Sequence, residues 1–163
     1  MRVHHELTRC CSSLLNRSER DLLMPATPRP TAAAVSAPLL TWSRTFPATP
    51  DQVPQTRCFL AGILDGCEAA EDALLCLSEL ASNAILHSRS AGPGGRFAVR
   101  VSQAPGWLKV EVTDEGGPWA LRPASGVHGR GLDIVKALAA GVHISDPGID
   151  SAARTVSFEM STR

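Results

Sequence analysis

Between residues 40 and 160 the apolar spacing switches between two and about 3.6, and the order of those switches limits the fold more than any other feature. Leu40-Thr-Trp-Ser-Arg-Thr-Phe46 alternates, which predicts a strand. Asp51 stands where a helix N-cap belongs. Val53, Phe59, Leu60, Ile63 and Leu64 supply the buried face of a helix reaching about residue 66. A second helix is predicted over residues 69–87, with Leu74, Leu77, Leu80, Ala81, Ala84 and Ile85 as its apolar arc. Gly92-Pro-Gly-Gly95 then breaks the chain. Phe97, Val99 and Val101, and after an Ala104-Pro-Gly106 turn Leu108, Val110 and Val112, alternate with polar residues and predict a hairpin. Residues 132–140 read as a short helix with Gly141 at its C′ position. Residues 142–145 and 155–160 read as two closing strands. The result is an α+β fold, a two-layer sandwich in which a mixed or antiparallel sheet carries helices on one face.

Residues 1–38 have a different texture. The stretch from Met24 to Pro38 is rich in Pro, Ala and Thr and has no apolar period, so a disordered tail over 1–38 and a single domain over 39–163 are predicted. Sixteen basic residues balance sixteen acidic ones, which gives no electrostatic reason to expect nucleic acid or an anionic membrane as a partner. No apolar run approaches the roughly 20 residues that span a bilayer. The five cysteines are an odd set, and reduced thiols in a cytoplasmic protein account for them most simply. Cys58, Cys67 and Cys76 fall in helical patterns and read as small core residues. His4-His5 with Cys10-Cys11 fits no common zinc module.

Three short stretches carry chemistry. Glu79, Asn83 and His87 are spaced four apart and so line one face of the second helix, along the border of its apolar arc. Asn costs up to about 0.7 kcal/mol against Ala in mid-helix, and its side-chain oxygen suits a hard cation such as Mg²⁺. Glu79, one turn earlier, is placed to accept a proton from a hydroxyl or a water. Asp114 ends a strand beside Gly116-Gly117, where a carboxylate can accept an exocyclic N–H of adenine in a bond worth roughly 1.5–3 kcal/mol. Gly129-Arg130-Gly131-Leu132 opens a helix whose N-terminal N–H groups suit phosphate oxygens. There is no GxxxxGK[ST], which excludes a P-loop. Arg130 is a candidate phosphate contact, whereas Arg122 and His128 read as exposed loop residues.

In this order, Glu-x-x-x-Asn on a helix, Asp-x-Gly after a strand and Gly-x-Gly-Leu before a helix resemble the N, G1 and G2 boxes of the GHKL ATPases, the group of gyrase, heat-shock chaperones and histidine kinases. The phrases ELASNAILHS, VEVTDEGGPW and GRGLDIVKALA, with the leading strand–helix–helix, look most like anti-sigma-factor serine/threonine kinases. The resemblance covers residues 40–161. It implies a Bergerat-type ATP-binding fold that uses ATP and Mg²⁺. It also implies a homodimer that holds a sigma factor and phosphorylates a serine on a STAS-type antagonist. By the same resemblance Glu79 is the general base, Asn83 the Mg²⁺ ligand and Asp114 the adenine acceptor. Gly116 shapes the adenine end, and Gly129, Arg130, Gly131 and Leu132 form the phosphate loop. The second glycine of the G1 box is Pro118 here, and its fixed φ and missing donor bear on lid movement. Two other readings stay open: a non-catalytic, nucleotide-gated module that sequesters a transcription regulator, and a detached histidine-kinase catalytic domain.

Overall fold

A computed structural model describes residues 38–117, 130–145 and 153–162. The elements run β1 (Leu40–Pro47), α1 (Gln52–Ile63), α2 (Ala70–His87), a 3-10 turn (Arg89–Ala91), β2 (Arg96–Ala104), β3 (Trp107–Asp114), α3 (Gly131–Leu138), β4 (Gly141–Ser145) and β5 (Arg154–Met160). The predicted tail, Pro38 apart, lies outside the described residues. So do Pro118, Arg122, His128 and Gly129.

The five strands form one sheet in the order β1-β2-β3-β5-β4, and every neighbouring pair is antiparallel. The sheet is therefore wholly antiparallel, and the fold is α+β as the periodicities predict. Period-two alternation puts Phe97, Val99, Val101, Leu108, Val110 and Val112 on the buried face, where all six are core residues. Leu74, Leu77, Leu80, Ala81, Ala84 and Ile85 of α2 are buried as well. Each such large apolar side chain removed from water is worth about 1.5–3 kcal/mol, so this contact between helix and sheet fixes the layer arrangement. Edge strand β1 is mostly exposed, and Phe46 anchors it. Its ring stacks on Phe97 at 5.7 Å and meets Phe59 edge-on at 6.1 Å.

Three local expectations change. Asp51 occupies the N-cap position, but its backbone is already helical (φ −66°, ψ −12°), and its side chain makes no cap hydrogen bond. A capping carboxylate needs extended backbone to reach the N–H groups ahead of it. The Asp51 carboxylate accepts from Gln52 Nε2 at 2.7 Å instead, and hydrogen bonds from Thr49 and Gln52 hold it below the usual carboxylate range. Gly141 is not at C′. Helix α3 stops because Ala139 turns extended (ψ 147°), and Gly141 already belongs to β4, opposite Glu159. Of the three cysteines expected in helices, Cys67 lies instead in the connection between α1 and α2; only Cys76 is fully buried, while Cys58 and Cys67 are half-buried. Burial pushes the Cys76 thiol up to about 12, with Asp72 and Glu79 adding to the shift.

Candidate functional site

Strand alternation builds one end of the site. Leu108, Val110, Val112 and Asp114 face the same side of β3, so the strand ends with a carboxylate directed into the helix layer. Asp114 is only 4% exposed, and a charge at that depth needs a partner. The register supplies one, because Asp114 lies directly opposite Arg154 at the start of β5. Arg154 donates to Asp114 Oδ2 from Nη2 at 2.7 Å and from Nε at 3.2 Å. The other oxygen, Oδ1, accepts from the Gly116 N–H at 2.7 Å. Gly116 reaches that position with φ 64°, a conformation that costs a residue bearing a Cβ.

A strap holds the loop after Asp114. The Arg89 N–H donates to the Gly116 carbonyl at 2.7 Å. The buried Ser90 hydroxyl donates to the Arg96 carbonyl at 2.7 Å and accepts from the Glu115 N–H at 3.0 Å. The 3-10 turn that ends α2 thereby sets the height of the Gly116-Gly117 loop. Helix α2 positions both ends of the site: one through its interior residues Glu79 and Asn83, the other through its C-terminal extension.

At the second end, α3 packs on α2 so that its first residue, Gly131, lies against the Glu79 side chain. A Cβ on Gly131 would collide with Glu79 Oε2 and lie 3.5 Å from Glu79 Cβ. The candidate base and the last glycine of the candidate phosphate loop are therefore in contact, although 52 residues separate them in sequence. Glu79 and Asn83 are both half-buried, and His87, the third member of their line, is exposed. Arg130 is exposed at the N-cap position of α3, and Leu132 is half-buried against the core. Among the described residues no group of three or more His, Cys, Asp or Glu could cage a metal ion. Asn83 offers an oxygen, which fits a Mg²⁺ shared with phosphate and water, the usual way that ion is held.

Arg154, Ser90 and Arg89 were not among the residues singled out from the sequence. One signal for Arg154 was present. It continues the inward alternation of Val156, Phe158 and Met160, and an inward charge at a strand end calls for an opposite charge.

A five-stranded antiparallel sheet carrying three helices is the architecture of an ATPase-type domain. The Histidine kinase-like ATPase domain matches residues 46–156, well over half of the chain, and the protein belongs to that family. No curated protein matches it. Among solved structures it is similar to the RsbU and RsbW domains of Rv1364c from Mycobacterium tuberculosis, at 20% identity and a TM-score of 0.56. That match covers 76% of this chain and 32% of the other, so this chain spans about a third of the Rv1364c structure, and the likeness is one of fold. No helix among the described residues is long and apolar enough to cross a membrane.

Proposed function

We propose that the protein is an ATP-binding anti-sigma regulator acting as a serine/threonine kinase on an antagonist protein. The observation that carries this reading is the contact between Glu79 and Gly131 in a chain of the ATPase family, which sets a proton acceptor against the helix end suited to phosphate. In this reading the base sits at Asp114, and the phosphates lie at the N-terminus of α3, near Gly129, Arg130, Gly131 and Leu132. Glu79 takes the proton from the attacking serine hydroxyl while its oxygen bonds to the γ-phosphorus and ADP leaves. Asn83 would hold a Mg²⁺ through its side-chain oxygen, and that ion, when bound, would supply neutralising charge to the phosphate oxygens. The partners are a sigma factor, a STAS-type antagonist and a second copy of the chain.

The test is transfer of labelled γ-phosphate from ATP to the cognate antagonist by the purified protein. Label on an antagonist serine, lost in Glu79→Ala, supports the reading. ATP binding with no transfer removes the kinase activity and leaves a nucleotide-gated binding module. Label on a partner histidine points instead to a histidine-kinase catalytic domain.

A further inference from the structure

The carboxylate proposed to read the base is already largely engaged. An ionised carboxylate offers about four lone-pair directions, two on each oxygen. Arg154 takes both directions of Oδ2, through Nε and Nη2, and the Gly116 N–H takes one of Oδ1. Among the described residues, three donors on this carboxylate leave a single acceptor direction, on Oδ1. The arrangement is stiff, because the side chains of Asp114 and Arg154 are each 3% exposed and the two residues are fixed opposite each other by the strand register. Gly116 is fixed in turn by the Arg89 N–H on its carbonyl.

From this we infer that Arg154 is a specificity-determining residue: by occupying Oδ2 it leaves Asp114 able to accept one N–H from a base, and no more. Adenine presents one amino donor at the edge concerned, and the remaining direction on Oδ1 satisfies it. Guanine presents two adjacent donors, N1–H and the 2-amino group, which a carboxylate receives with both oxygens. To receive them here, Asp114 would have to release a buried guanidinium, and a buried charge stripped of its partner is strongly unfavourable. Selection against guanine thus comes from the occupied oxygen, and selection for adenine from the vacant direction beside it. Arg154 acts through Asp114 and is a positioning residue for it. The inference rests on the proposal that Asp114 is the base acceptor.

The experiment is competition of ATP and of GTP against a fluorescent N-methylanthraniloyl-ATP probe on the full chain, for wild type, Arg154→Met and Arg154→Lys, with a thermal melt of each. Wild type is expected to prefer ATP by about hundredfold or more, since a site with mismatched buried polar groups discriminates strongly. Arg154→Met, which frees Oδ2, is expected to lower the ATP:GTP ratio by about tenfold or more, the worth of one charge-assisted hydrogen bond. Arg154→Lys keeps the charge but holds Oδ2 with one N–H where the guanidinium used two, and is expected to lower the ratio by about threefold. A purely structural role for Arg154 would shift the melt and weaken both nucleotides alike, leaving the ratio unmoved. An unchanged ratio in folded Arg154→Met overturns the inference. If that variant does not fold, an unchanged ratio in Arg154→Lys overturns it. Wild type that binds GTP within tenfold of ATP does so as well. Wild type that binds no probe removes the base assignment of Asp114, and this inference falls with it, whereas an unchanged ratio in a variant leaves that assignment standing.

Discussion

At the base end, Asp114 is 4% exposed and is held by N–H donors on both oxygens. At the phosphate end, Glu79 and Asn83 are half-buried, and Glu79 is placed by shape, against a residue with no side chain. The first end is a buried ion pair, whose charges must be satisfied mainly by each other because they are almost wholly removed from water. The second is open enough for its polar groups to act on a ligand and a partner protein. The base end is therefore part of what holds the fold together, and the phosphate end is where side chains can be exchanged at little cost to stability. A single helix, α2, serves both, so a rigid element carries the chemistry while loops attach to it.

The comparison can be broken at several points. Glu79→Ala should lower phosphotransfer to the antagonist by about 10²–10⁴-fold, the usual range for a general base, while moving the urea midpoint hardly at all. A large stability loss in that variant would put Glu79 in the structural class with Asp114. Asp114→Ala should show the opposite behaviour. It leaves the Arg154 guanidinium buried beside an alanine and should cost about 3–5 kcal/mol in chemical denaturation. The double variant Asp114→Ala, Arg154→Met should recover much of that loss. Gly131→Ala should cost less stability than Asp114→Ala, because the new methyl meets the movable carboxylate end of Glu79. A stability change within about 1 kcal/mol is expected, together with weaker ATP binding in calorimetry, because the displaced carboxylate is the proposed base. Unchanged ATP binding in Gly131→Ala would show that the Glu79 carboxylate is not held against the start of α3.

The smallest effect concerns the core beneath Glu79. Cys76 has its thiol pushed up to about 12 in the folded protein, against an ordinary value of 9.0. The folded state thus holds this proton more tightly than the unfolded chain. The resulting stability is fully present below the ordinary value and is lost as pH rises toward the folded one. The urea midpoint should fall more steeply between pH 9 and about 10.5 in wild type than in Cys76→Ala. The chain has no tyrosine and only Lys109 and Lys136 as lysines, so few other groups blur that window. Equal slopes would show that the Cys76 thiol is not shielded.

Where burial and periodicity coincide, the fold was legible in the sequence. The arcs of α2, β2 and β3 were read correctly residue by residue because each apolar position is also a core position. Boundaries governed by a local backbone choice were harder. Asp51 has the right residue type for a cap in the wrong conformation, and Ala139 ends α3 before Gly141 is reached. Among the candidate site residues, Glu79, Asn83, Asp114, Gly116 and Gly131 stand out in the sequence because their spacing is local to one helix or one turn. Arg154 could not, because its role depends on pairing across 40 residues, and the last strand read as beginning one residue later. Ser90 was hidden for a related reason: its hydroxyl joins two loops whose proximity only the folded sheet creates.

Strand β5 comes last in the chain yet lies between β3 and β4 in the sheet. A nascent chain that has already made its hairpin, its long helix and the Asp114 carboxylate still lacks the cation opposite that carboxylate. Until β5 docks, β3 has an open edge and Asp114 has no cation opposite it. Pairing of the two opposed charges and closure of the sheet between β3 and β4 therefore arrive together, in the single step that inserts β5.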